Sequence, residues 1–230
     1  SYAHTGTIGV GFNALAALTS GAGNVAIGYQ ALDAVTTGAH NIAIGYLAAD
    51  SVLAGHDSNI AIGTNALGGT HTGTASSQNV AIGGDAMAGA MNDGDNNVAV
   101  GYVALQSLTG GGNNVAIGHQ AGDAIQAGHN NVAVGQGALT TAIHQDECVA
   151  VGQGALAALN DDAADGAVGI GYQALAALTS GAQNTAIGSD VAKLLTTGFH
   201  NTVMGYAAFD AADAGENCNV AIGVDSMGAC

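Results

Sequence analysis

This 230-residue chain has no proline, no tryptophan and one basic side chain other than histidine, Lys193. Each absence excludes something. Without a lysine or arginine patch there is no footprint for a phosphate backbone, which excludes nucleic-acid binding, and none for a polybasic contact with an anionic membrane. No apolar run approaches the ~20 residues that cross a bilayer as a helix. Seventeen acidic residues against one lysine give a net charge of −16. Such a surface suits solubility in salt and resists trypsin-like proteases, so an extracellular, cell-surface or virion location is expected. No secretory signal is visible, and an opening at Ser1 rather than Met reads as a processed or truncated product.

What the chain does contain is one motif repeated from end to end. Asn24-Val25-Ala26-Ile27-Gly28 returns with its last glycine at Gly11, Gly28, Gly45, Gly63, Gly83, Gly101, Gly118, Gly135, Gly152, Gly171, Gly188, Gly205 and Gly223. The thirteen copies stand 17 to 20 residues apart, most often 17. A short fixed period that fills a chain is the signature of a solenoid. Three residues before each glycine the side chain is β-branched, as at Ile8, Val25, Ile42 and Thr185, and one before it is Val or Ile, except Met204. Between them stands Ala or Gly, except Val203. This large-small-large alternation has a period of two and predicts a short strand.

After the glycine the unit continues Tyr29-Gln30-Ala31-Leu32, with further apolar stops such as Val35, Leu108 and Leu178, then a Thr-Thr-Gly or Thr-Ser-Gly turn. Each unit is expected to be two very short strands and two turns, with segments such as Ala14-Leu15-Ala16-Ala17-Leu18 forming at most one turn of helix. No unit can bury its apolar residues alone. Stacking would place Val on Val and Ile on Ile in a continuous core. The expected fold is therefore all-β: a parallel β-solenoid of thirteen ~17-residue coils, one domain over residues 1–230 without evident caps. At about 4.8 Å per coil it would be a rod roughly 60 Å long. The repeat residues carrying this reading are Asn24, Val25, Ile27, Gly28, Ala31 and Leu32. The recurring asparagine would either ladder from coil to coil or bond its own turn backbone.

The first strand, with Ile8 and Val10, and the last, with Val220 and Ile222, are expected to be open edges. If Cys230 abutted Ser1 of a second copy, the interval from Gly223 to the next Gly11 would be 18 residues, within the observed range. Head-to-tail growth into a filament follows as an expectation. An odd cysteine count leaves one thiol free or paired between subunits, through Cys218 or Cys230. Cys148 stands in the asparagine column and is expected to be buried.

The repeat Asn-Val-Ala-Ile-Gly-Tyr-Gln-Ala-Leu, with Val25-Ala26-Ile27-Gly28 and Ala31 at its centre, resembles the head repeat of YadA-like trimeric autotransporter adhesins. It is also similar to related repeats of phage tail fibres and bacterial surface proteins. The resemblance covers essentially the whole chain, with a period longer than that of the adhesin head. It implies a left-handed parallel β-roll, commonly a homotrimer, that binds host or matrix or presents a receptor-binding tip.

No catalytic constellation stands out from the repeat, and no cofactor is implied; the chain is read as a non-enzyme. The candidates for calcium are Asp33 and Asp50, in one column of neighbouring coils, and Asp93 and Asp95. Five turn threonines (Thr19, Thr36, Thr109, Thr179 and Thr196) raise an ice-binding alternative, in a column broken by other residues. Protonation of all eight histidines would halve the net charge to −8 and favour lateral bundling. The function expected is a structural, self-assembling and adhesive subunit of an extracellular fibre, with an adhesin or receptor-binding head module as the alternative.

Overall fold

The computed structural model describes residues 5–52, 54–71, 75–161, 164–210 and 215–228. Among them lie thirteen three-residue strands and no α-helix. The chain divides into two compact units, residues 1–113 and 114–230. The first holds β1 (Ile8–Val10), β2 (Val25–Ile27), β3 (Ile42–Ile44), β4 (Ile60–Ile62), β5 (Val80–Ile82) and β6 (Val98–Val100). The second holds β7 (Val115–Ile117), β8 (Val132–Val134), β9 (Val149–Val151), β10 (Val168–Ile170), β11 (Thr185–Ile187), β12 (Thr202–Met204) and β13 (Val220–Ile222). Within each unit the strands pair parallel, in chain order and in register, so Val25 lies beside Ile42 and Val115 beside Val132. The protein is an all-β parallel β-solenoid with one strand per coil. The 20-residue interval between Gly63 and Gly83 leaves the pairing of Ile60 with Val80 intact, because the extra residues fall outside the strand.

The glycine that closes each strand is there for two reasons. Its φ is near +140°, as at Gly28, Gly45 and Gly188, a conformation closed to L side chains. A Cβ on Gly28 would also collide with the carbonyl of Gly45 in the next coil, and one on Gly45 with that of Gly63. Beyond the glycine, the residues two and four positions on are left-handed in every coil, among them Gln30 and Leu32, or Asp85 and Met87. They reverse the direction of the main-chain donors. Gly28 and Gln30 donate to Val10 and Phe12 of the preceding coil, whereas Leu32 and Ala34 donate to Ala48 and Asp50 of the following one. Holding a leucine left-handed costs roughly 1–2 kcal/mol, offset by burying its side chain, worth about 1.5–3 kcal/mol.

Two expectations are corrected here. The second segment of the unit is neither strand nor right-handed helical turn: Asn13 and Leu15 are left-handed, and donors alternate, with Ala14, Ala16 and Leu18 bonding three residues back while Leu15 and Ala17 donate to Ala31 and Asp33 of the next coil. The core is also turned inside out relative to the expected stack of Val on Val and Ile on Ile. The middle strand residue is the buried one, as at Ala26, Ala43, Ala81 and Ala116, while Val25 is half-buried and Ile27 is 39% exposed. The interior is filled by these alanines, by Ala31 and Leu32 with their equivalents, and by Val35, Leu108, Leu159 and Leu178. A leucine packs against this small residue: a Cβ at Gly9 would lie 3.4 Å from Leu15 and one at Gly169 3.1 Å from Leu156, while Val203 is the one larger side chain buried at this position.

Gly45→Ala is expected to destabilise its unit by about 3 kcal/mol or more, from forbidden φ and backbone collision together. Gly110→Ala, where an added Cβ meets only the Asn92 carbonyl at ordinary distance, is expected to stay within about 0.5 kcal/mol of the parent. Urea unfolding of both variants separates the two outcomes.

Candidate functional site

The outward face of each strand carries the residues three and one before the glycine, and the residue after it adjoins them. In the first unit this surface includes Ile27, Ile44 and Ile82, each exposed, alongside Phe12, Tyr29 and Tyr46. Those three rings stack from coil to coil, with centroids 5.3 and 5.2 Å apart and planes within 14° and 13° of parallel. In the second unit Ile117, Met204, Tyr172 and Tyr206 are exposed at equivalent positions. None of the 17 acidic residues stands at any of these three positions in any coil. On a chain of charge −16, the sheet face is free of carboxylates, though Thr64, His119, Gln136, Gln153, Thr185, Ser189 and Thr202 add polar side chains to it.

Beside that face runs a buried asparagine column. Asn24 Oδ1 accepts from the main-chain N–H of Asn41 at 2.9 Å and from its Nδ2 at 3.2 Å, while Asn41 Nδ2 also donates to the His56 carbonyl at 2.8 Å. Asn59 repeats all three bonds one coil on, and Asn97 does so on Asn79 and Gly111. The ladder alternative holds, and the turn backbone these amides tie down is that of the following coil rather than their own; Asn184 also donates to the Gly181 carbonyl of its own turn. In the second unit Asn131 bonds Asn114, and Asn201 and Asn219 continue from Asn184. Cys148 and Ala167 interrupt the column. Cys148 N–H bonds Asn131 Oδ1 at 2.9 Å, and its buried thiol donates to the Ala164 carbonyl at 3.6 Å. Burial pushes the Cys148 thiol up to about 11.

A second column was not foreseen. Six residues before the glycine, Asp57 Oδ1 accepts from Ala39 N–H at 2.7 Å, Asp95 from Ser77 at 2.6 Å, Asp146 from His129 at 2.6 Å and Asp165 from Asp146 at 2.8 Å. Asn217 does the same for Phe199. These side chains close the corner by satisfying a main-chain donor of the coil before. The position is Asp in only four coils and Asn in one, so its signal in the sequence is weak.

The calcium candidates do not come together as a set. Burial, followed by the charge of Asp33, raises the Asp50 carboxyl above its ordinary value. Asp33 accepts from Gln30, and Asp95 belongs to the corner column. Among the described residues no group of three or more histidines, cysteines or carboxylates is placed to hold a metal ion. The turn threonines are engaged with backbone: Thr19 and Thr179 hydroxyls donate to the carbonyls of Thr36 and Thr196. Of the residues expected between subunits, Ile8, Val10, Val220 and Ile222 are each more than half exposed. Cys218 is exposed with a free thiol. Ser1 and Cys230 lie outside the described residues.

Two of the histidines resist protonation. His56 and His71 are buried, their rings edge to face at 4.9 Å, with His71 Nδ1 3.0 Å from the Met91 carbonyl and its Nε2 without a partner. Burial, then the His56 charge, lowers His71 to about 4, and burial lowers His56 despite the nearby Asp57 and Asp95. These two therefore resist the protonation that the expected halving of the charge requires. Comparison with protein-family models, curated proteins and solved structures finds no match.

Two outcomes follow. Because the folded His71 resists protonation, the unfolded chain takes up the extra proton. Stability is therefore full above pH ~6.5 and falls as pH drops from there toward about 4. His71→Met, the residue at this position in the next coil, is expected to flatten that slope in pH-dependent thermal melts. Cys148→Asn, which adds an amide to the interrupted column, is expected to raise stability by about 1 kcal/mol. Unchanged or lower stability in calorimetry would show that this column gains nothing there.

Proposed function

We propose that this chain is a non-catalytic structural segment of an extracellular fibre, that it assembles with copies of itself through the outer sheet face, and that it is adhesive. The observation that supports this most is the segregation of charge. Seventeen carboxylates surround a sheet face that has none, and a large exposed apolar patch is costly unless something covers it. Elsewhere, like charges oppose contact between copies; on this face they do not. The last strand residue is Val or Ile in every coil but that of Met204, so two copies can meet row for row along a stack, as in a dry zipper between sheets.

The YadA-like resemblance makes a homotrimer the natural form of that contact, with a host-surface or matrix receptor as the adhesive partner. The coil-on-coil bonds can also continue at β1 and β13, where Ile8, Val10, Val220 and Ile222 are exposed, whether the next coil belongs to the same chain or another copy. Purified protein is expected to sediment as oligomers or filaments, and Ile44→Asp with Ile82→Asp to shift it to smaller species with little change in melting temperature. A monomer at all concentrations, or a double variant that assembles like the parent, would reject assembly through this face.

A further inference from the structure

One coil departs from the repeat where stacking gives no reason to. Leu194 is 58% exposed, at a position that is Ala, Ser, Gly or Thr in every other coil, as at Ala17, Ala34, Ala124 and Ala177. Beside it stands Lys193, the only lysine or arginine in the chain, its Nζ 3.0 Å from Asp190 Oδ1. With Tyr206, Ala207 and Asp210 of the next coil they line an open groove of about 330 Å³. Tyr206 is 57% exposed. A buried repeat residue is constrained by its neighbours above and below. An exposed leucine and a lone ammonium are not, and neither adds to the core.

We propose that this groove binds a neutral saccharide. The electrostatics select for it. A cation would find Asp190 and Asp210 but also the Lys193 ammonium; an anion would find the ammonium, but beside two carboxylates and in the field of a chain of charge −16. An uncharged polyol avoids both penalties. Its hydroxyls donate to the carboxylates and accept from Lys193 and the Tyr206 hydroxyl. Leu194 and the Tyr206 ring offer apolar surface to the C–H face of a pyranose. The groove volume suits one or two sugar rings, in the lower range of small-molecule sites. The inference does not depend on self-assembly: it shares only Tyr206 with the sheet face and survives if the chain is monomeric.

The test is saturation-transfer-difference NMR on the whole chain with the methyl glycosides of glucose, galactose, mannose and N-acetylglucosamine, and with argininamide and inorganic sulfate as charged comparators. Transfer to at least one glycoside is expected, with affinity at least tenfold weaker in Leu194→Ala and in Lys193→Ala and melting temperatures unchanged. Leu194→Ala restores the residue most coils carry, so it will fold. No transfer to any glycoside, tighter binding of argininamide or sulfate than of every glycoside, or glycoside affinity unchanged in both variants would overturn the proposal.

Discussion

Everything in this protein depends on how closely one coil can lie on the next. Main chain meets main chain at the strand-closing glycines, where a single added carbon would strike the neighbouring carbonyl. That closeness lets the donors of Gly28 and Gln30 reach the coil before and those of Leu32 and Ala34 reach the coil after. The left-handed residues that permit the reversal are held in an unfavourable conformation, and buried leucines offset the cost. A stack of this kind is stable only as a cooperative series, since a lone coil has neither core nor partner for its backbone.

The polar interior follows from the same constraint. Turn carbonyls brought inside by close stacking need donors, and an asparagine amide supplies one while its oxygen accepts from the next coil. The corner aspartates serve the main-chain donors on the other side of that turn. Part of the acidity that looks like a solvated surface in the composition is therefore structural, and what remains is kept off the sheet. The consequence is a sheet face without carboxylates in each unit, and that asymmetry underlies the fibre reading.

Because the repeat explains most side chains, departures from it are informative. Cys148 and Ala167 interrupt the amide column; His56 and His71 sit buried at positions where most coils carry no histidine; Lys193 and Leu194 stand in columns of other character. The first two kinds change how a coil is held together. The last changes only what solvent meets.

The period, the strands and the glycines were legible because each is a local constraint: a β-branched pair favours extended backbone, and a glycine marks a conformation no other residue adopts. The asparagine ladder was legible for the same reason, as one residue type at one position. Which face of the strand points inward was not. Alternation of Val25, Ala26 and Ile27 shows that two faces differ, but the inward one is decided by the volume left beside Leu32 and Val35, and that is known only when the coil closes. Tertiary structure likewise decided which histidines lose their solvent, and it brought residues of two successive coils together around Lys193. The sequence by itself determined what is repeated; the closing of the coil decided what is inside.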